Sequence, residues 1–400
     1  MMEKQRTAAI FGLWWSSNYG SQMTYYSLNR LVESFGYSVF MIDRPGFSPD
    51  NPLFHTHGRR FAREHYRISP SCDFKDLKKL NEKADTFLMG SDQVWNFSIC
   101  RHYRGAFYLN FVQDDKKKIA YGASFGHPGF FAPEEEIEKA RRYLSRFDAI
   151  SVREEDAVGI VNHTFGLKAV RVLDPVFAVD PAEFEPILAA ARVREEEPYL
   201  AAYILDPDEK KREALRYLAE KLGLKLVIML DGERNFEENK QKMALDGVVG
   251  DLQVEEWLSY IKNCRYFVTD SCHGASFAIL FQKNFVCFGN EGRGNSRMDS
   301  LAHVFELPDR FLKDPEMVKR KKSLLKAPDY KKVSGILERE REVSRSWLRE
   351  ALEMPVKPEK DNLYQEQPRP VHDFLAGTYK KYIRPVAGEG LEHFIRKVWR

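Results

Sequence analysis

Short runs of β-type residues recur along this chain, and most are followed by a turn and then by an apolar pattern of helical period. That alternation constrains the fold more than any other feature. Strands separated by helical crossovers pair in parallel, and a parallel sheet needs helices over both faces. Residues 8–13, 39–43, 87–89, 119–125, 149–152 and 170–173 read as strands, with helical patterns at 21–35, 134–145 and 155–161. In 21–35, Tyr25, Leu28, Leu31, Val32 and Phe35 share one helical face, and Gly36 supplies a stop. A second series places strands at 199–205, 226–230, 266–269 and 285–288, with helices at 208–222, after Asp251 and after His273. Asp251 is positioned to cap a helix whose Val254, Trp257, Leu258 and Ile261 lie on one face.

Two such series in 400 residues imply two α/β domains, because this length exceeds one ordinary core. Pro181, Pro186 and Pro198 bracket an Ala/Glu/Arg-rich stretch that marks the boundary. The expected organisation is one domain over 1–180, a second over 181–312, a charged helical segment over 313–354 and a tail over 355–400. The tail closes with an amphipathic helix at 387–400, which aligns Leu391, Phe394, Ile395, Val398 and Trp399. Docking on the core is the ordinary reading of such a face; contact with an anionic membrane surface is the alternative.

Composition then removes function classes. The 62 basic and 59 acidic side chains are interspersed and leave a net charge of +3, which is no nucleic-acid footprint. Cys72, Cys100, Cys264, Cys272 and Cys287 are scattered without a CxxC pair, so no metal site and no disulfide framework is expected. Most of them read as small buried apolar residues of a reducing compartment. No apolar run reaches the roughly 18 residues of a membrane span, and the apolar stretch at 8–15 lacks a cleavage pattern. The expected location is the cytoplasm, with peripheral contact at the inner face of the membrane left open by the last helix.

Ligands of open parallel sheets collect beyond the carboxyl ends of the strands, so the strand-to-helix turns are the places to search. In Trp15-Ser16-Ser17-Asn18-Tyr19-Gly20-Ser21, Asn18 and the hydroxyls offer bonds to a sugar or phosphate and Gly20 permits close approach. The plain alternative is a helix cap. Gly90-Ser91-Asp92-Gln93-Val94-Trp95-Asn96 combines a carboxylate, two amides and an indole, a set suited to carbohydrate, with Asp92 able to accept a hydroxyl proton. Its alternative is an Asx turn with Trp95 in the core. Arg153, in Ser151-Val152-Arg153-Glu154-Glu155, suits a carboxylate or phosphate, or else pairs with Glu154, Glu155 or Asp156.

The turn Thr269-Asp270-Ser271-Cys272-His273-Gly274 holds the most informative residue. His273 titrates near neutrality and can serve as acid, base or phosphate ligand, while Gly274 lets a ligand approach. A nucleophilic Cys272 is disfavoured, since adjacent side chains rarely point the same way. Gly292-Arg293-Gly294-Asn295-Ser296-Arg297 reads as an anion-gripping loop or a solvated one. Arg59, Arg63 and Arg67, with Arg60 beside them, share a helical face that a phosphorylated acceptor could meet, although a solvated face is more usual.

These segments, with Ala123-Ser124-Phe125-Gly126 and Leu173-Asp174-Pro175, together resemble the polysaccharide pyruvyl transferase family over about residues 8–312. The resemblance implies a GT-B-like fold: two Rossmann-like domains facing across a cleft, acceptor side first and donor side second, with a helical C-terminal extension. It also implies transfer of pyruvate from phosphoenolpyruvate to a sugar of a cell-surface polysaccharide or its precursor, as a ketal, with release of phosphate. Phosphoenolpyruvate is then a co-substrate, with no further cofactor and no metal, and the partner is a sugar or lipid-linked oligosaccharide. Arg153 and His273 match family residues at the donor. Many members carry Ser-Arg-x-His-Gly, whereas Ser271 stands at the arginine position here. Arg293 or Arg297 is placed to restore that charge. The resulting expectation is His273 and Asp92 as catalytic residues and Arg153, Ser271, Gly274, Arg293 and Arg297 at the donor. Asn18, Gly20, Gln93 and Trp95 are expected at the acceptor. A nucleotide-sugar glycosyltransferase of the same fold and a non-catalytic sugar-binding or scaffold protein are the competing readings.

Overall fold

Each strand pairing in the computed structural model is parallel, as the alternation of strands and helices requires. The structure describes residues 6–46, 56–193, 195–230 and 236–356. The expected tail helix at 387–400 and its apolar face lie outside the described residues. In the first domain the strands are β1 (Thr7–Phe11), β2 (Ser38–Met41), β3 (Thr86–Met89), β4 (Lys117–Ala123), β5 (Ala149–Val152) and β6 (Val170–Arg171). They form one sheet in the order β2-β1-β3-β4-β5-β6. The second domain holds β7 (Tyr199–Ile204), β8 (Lys225–Leu230), β9 (Val248–Val249), β10 (Tyr266–Thr269), β11 (Asn284–Phe288) and β12 (Phe311–Leu312). Their order is β12-β11-β10-β7-β8-β9. The result is two Rossmann-like, GT-B-like domains.

Helices cover both sheets. The α-helices of nine residues or more among the described residues are α1 (Tyr19–Glu33), α2 (His57–His65), α3 (Glu134–Leu144), α4 (Glu209–Leu222), α5 (Val254–Asn263), α6 (Cys272–Leu280), α7 (Ser296–Val304) and α8 (Tyr330–Glu353). The central strands are apolar on both faces because both faces are covered. Ala8, Ala9, Ile10 and Phe11 of β1, and Leu200, Ala201, Ala202 and Tyr203 of β7, are wholly buried.

Three local expectations are corrected. Asp251 is not the cap of α5: it adopts a left-handed backbone (φ 51°), and Gln253 forms a reciprocal capping box with Glu256. The charged stretch after 312 is helical only from Tyr330, after short 3-10 turns at Pro315–Lys319 and Lys322–Leu325. From there α8 returns to the first domain, where Ser344 Oγ accepts from Leu173 N at 2.9 Å. Arg341 Nε donates to Phe177 O at 2.7 Å and Arg345 Nη1 to Ala178 O at 2.9 Å.

The basic face at 59, 63 and 67 does not exist as one surface. Arg59 points inward and forms a bidentate pair with Asp43, both bonds 2.7 Å, while Arg63 and Arg67 are exposed and Arg67 lies beyond the end of α2. Arg60 crosses to the second domain, donating to Gln253 Oε1 at 2.7 Å and Glu255 Oε2 at 2.6 Å. Removing one partner of a buried pair strands the other charge, at a cost of about 3–5 kcal/mol. Asp43→Asn is therefore expected to lower stability by about that amount in urea titrations. A loss under about 1 kcal/mol would mean that the pair does not seat α2.

Candidate active site

The two sheets meet at their carboxyl ends. In the first sheet the strand order reverses between β1 and β3, and in the second between β7 and β10. Crevices at such reversal points are where open α/β sheets take ligands. Asp92 follows β3, Arg153 follows β5, His273 lies in the first turn of α6 after β10, and Arg297 opens α7 after β11. Contacts between α1 and α6 bring the halves together.

These four residues and Asp174 form one buried cluster. Arg153 Nη1 pairs with Asp174, and its Nη2 lies 3.3 Å from Asp92 Oδ1. Arg297 Nη1 reaches the same Asp92 oxygen at 3.1 Å, so one carboxylate of the first domain bridges a guanidinium from each domain. His273 Nε2 lies 3.3 Å from Arg153 Nη1 and 3.9 Å from Asp174 Oδ2. A guanidinium can only donate, so Nε2 accepts and the ring proton belongs on Nδ1. Burial drives the imidazole pKa down to about 4, with Arg153 and Arg297 acting in the same direction against Asp92 and Asp174. His273 is therefore neutral at pH 7.

Asp92 is held in a backbone conformation that non-glycine residues rarely adopt, φ 76°. Its carbonyl accepts from Val94 N at 2.8 Å and Ser124 N at 2.9 Å, which fixes that strained geometry. Burial works against its carboxylate, but the Arg153 and Arg297 guanidinia hold it well below the usual range. Arg153 is raised above its ordinary value: burial opposes its charge, and Asp174 and Asp92 outweigh burial. Beside it Glu154 is fully buried and shifted upward by burial. Its Oε1 accepts from Ser124 Oγ at 2.7 Å and Phe125 N at 3.1 Å. Arg153 Nε, Glu154 Oε2 and Arg297 Nε are buried without a hydrogen-bond partner. Buried polar atoms are normally satisfied, so their concentration here fits a site built to meet a polar ligand.

The other sequence candidates separate by location. Ser271 caps α6, its Oγ accepting from Gly274 N at 3.3 Å. Gly20 packs directly on the imidazole: a Cβ there would lie 2.2 Å from His273 Cβ. Asn18 caps α1 and also directs its Nδ2 to Tyr203 Oη of the second domain at 3.5 Å. Trp95 is corrected. Its ring is fully buried, and its Nε1 donates to Phe107 O at 3.0 Å, so it offers no face to a sugar. The Gln93 amide is taken up within the protein, donating to Arg293 O at 3.0 Å and accepting from Asn96 Nδ2 at 2.7 Å. Arg293 turns away to Asp206, at 2.7 Å, and only Arg297 joins the cluster. Burial pushes the Cys272 thiol up, which disables it as a nucleophile.

Asp174 had no role assigned from sequence. An acid followed by proline reads first as a helix cap, and Asp174 does accept from Val176 N at 3.1 Å; its bond to Arg153 needs the fold. Among the described residues Glu64, His65 and Glu255 are close enough to share a metal ion, but Arg60 already pairs with both carboxylates. A cavity of about 920 Å³ opens elsewhere, between α7, α8 and Glu155 and Arg171. Its charges are mostly spent on one another: Arg171 pairs with Glu155 and Glu340, and Glu306 with Lys332.

A model of the family Polysaccharide pyruvyl transferase matches residues 18–292. No curated protein matches the sequence. Among solved structures, UDP-GlcNAc 2-epimerase from Methanocaldococcus jannaschii is similar at a TM-score of 0.50 and 12% identity, covering 94% of this chain and 100% of that one. The S. aureus MnaA–UDP structure is similar at a TM-score of 0.51 and 12% identity, covering 96% of this chain and 98% of that one. Likeness at that identity concerns the fold alone.

The buried neutral imidazole has a measurable consequence. Unfolded, His273 titrates near 6.5, whereas folded it titrates near 4. Between these values the unfolded chain binds the extra proton, so stability falls as pH drops through the window and its loss levels off below it. His273→Gln is expected to flatten that part of the profile in urea titrations from about pH 4 to 7. Parallel profiles for the variant and the wild type would refute a buried neutral ring.

Proposed function

We propose a division of labour for this chain, which belongs to the polysaccharide pyruvyl transferase family. Its reaction moves pyruvate from phosphoenolpyruvate to a polysaccharide acceptor as a ketal and releases phosphate. The donor carries a carboxylate and a phosphate, so its site must supply several cationic and N–H donors at close range. In our reading Arg153 and Arg297 grip these groups, with the first turn of α6 beside them; the shared Asp92 bridge between the two guanidinia is the observation that carries it.

Donor binding changes the proton balance. The donor's negative charge draws both guanidinia and raises the His273 pKa from its low resting value toward neutrality. His273 then acts as the acid that protonates the methylene carbon. Asp92, relieved of its two cations, regains basicity and accepts the proton of the attacking hydroxyl. That oxygen bonds to the carbon bearing the phosphate. Phosphate leaves as the second hydroxyl closes the ketal, and takes up that hydroxyl's proton; Asp92 then releases its proton to solvent and His273 takes one back, which restores both residues for the next donor. Asp174 keeps Arg153 in place throughout. Asn18 and Gly20, in the turn facing His273, line the acceptor side.

For the acceptor we favour a sugar of a cell-surface polysaccharide or its lipid-linked precursor, met in the cytoplasm, with contact of the tail at the inner face of the membrane as the alternative to its docking on the core. The support is the amphipathic pattern at 387–400. No helix of the described residues is long and apolar enough to cross a membrane.

Phosphoenolpyruvate at millimolar concentration should raise the melting temperature, and UDP-sugars should not. A shift with UDP-sugars alone would favour the glycosyltransferase reading. His273→Ala is expected to reduce phosphate release in the presence of acceptor glycan at least about a hundredfold. Unchanged turnover would take the imidazole out of the mechanism.

A further inference from the structure

Arg297 reaches the cluster from the start of α7, directly after a loop that belongs to the second domain but rests on the first. The loop is anchored at home by Arg293 Nε to Asp206 Oδ2 at 2.7 Å, by Asn290 Nδ2 to the same oxygen at 2.6 Å, and by Asn290 N to Asn295 Oδ1 at 2.8 Å. On the other side of the cleft its support is a shelf made of Gln93 and the 124–126 turn. Glu154 Oε1 holds that turn through Ser124 Oγ and Phe125 N.

One carbonyl links the docking contact to the cation. Arg293 O accepts from Gln93 Nε2 of the first domain at 3.0 Å and from Arg297 Nη2 at 3.3 Å. The other end of the Arg297 fork, Nη1, faces Asp92 at 3.1 Å. The next residue, Gly294, lies against the first-domain backbone: a Cβ there would come within 1.9 Å of Gly126 O, and its φ of +84° also favours glycine. Gln93 and Gly294 thus sit where they control how closely the loop seats and which way the Arg297 guanidinium points.

We propose that Gln93 and Gly294 are positioning residues for the donor. By docking the 290–297 loop across the domain cleft through the Arg293 carbonyl, they set Arg297 for the donor's anionic group, supplying from α7 the positive charge that Ser271 does not provide. This rests on the reading that Arg297 contacts the donor. Arg297 is the second residue of α7, directly after the loop, so a loop held off the shelf would carry the start of α7 and the guanidinium away with it. Preorganisation of this kind lowers the cost of binding without adding a contact to the ligand.

The test is the affinity of the full chain for phosphoenolpyruvate alone, by titration calorimetry, which needs no acceptor. In Gly294→Ala the methyl group meets Gly126 O. In Gln93→Glu the carboxylate can still accept from Asn96 but cannot donate to the Arg293 carbonyl. Both variants are expected to weaken phosphoenolpyruvate binding at least about tenfold, and in Gln93→Glu the unliganded melting temperature should stay near that of the wild type, whereas the strained Gly294→Ala loses some stability. Gly292→Ala is the control. It lies in the same loop, is exposed, and its nearest neighbour to a new Cβ is Asn290 Oδ1 at 3.8 Å, so it should bind as the wild type does. Should Gly294→Ala not fold, Gln93→Glu carries the test by itself. Wild-type affinity in Gln93→Glu together with loss in Arg297→Ala would overturn the positioning role and leave the donor role of Arg297 standing. Wild-type affinity in Arg297→Ala would overturn both.

Discussion

The contact on which the rest of the structure depends is the pairing of Arg153 with Asp174 and Asp92, out of reach of bulk water. A buried ion pair is a poor source of stability, because desolvation of both partners offsets most of their attraction. Here it is also the meeting point of the two domains, since Asp92 binds Arg297 of the second domain and Arg153 touches His273. Charge placed at a domain boundary in this way fits a site that exchanges protein anions for substrate anions. The same cations that depress Asp92 in the resting state are those an anionic donor would engage.

Several features remote from the cluster are legible as supports for it. The C-terminal helix α8 leaves the second domain and bonds to residues 173, 177 and 178 of the first, on either side of the segment that begins with Asp174. It therefore braces the carboxylate that braces Arg153. On the other side, Asp270 accepts from Leu205 N at 2.6 Å, Asp206 N at 3.1 Å and Lys211 Nζ at 2.8 Å. That binds the ends of β7 and β10 together beneath His273. Gly20 completes the enclosure by allowing α1 to lie against the imidazole.

Much of the fold was readable from local pattern. Parallel strands buried on both faces must be nearly continuous apolar runs, and β1, β7 and β10 are such runs. Element ends were less readable where a backbone conformation decided them. Asp251 has the right side chain for a cap but a left-handed φ, and Gln253 caps instead. Aromatic residues in polar turns were the other weakness. Trp95 stands among polar neighbours in sequence, yet it packs with Tyr108, Phe125 and Phe147, which lie between 13 and 52 residues further along the chain.

For the site, sequence alone determined the parts: His273, Arg153 and Asp92 each sit at a strand-to-helix turn, and such turns collect ligands because helix starts expose N–H groups. The resemblance to the family added that Ser271 stands where many members carry an arginine. The tertiary structure decided which parts meet. Arg297 and not Arg293 enters the cluster, since Asp206 holds Arg293 outside. Asp174, which reads as a cap, becomes the partner of Arg153, and the neutral state of His273 follows from enclosure by both domains. These are properties of distance and burial between residues far apart in the chain, and no local pattern of residue types encodes them.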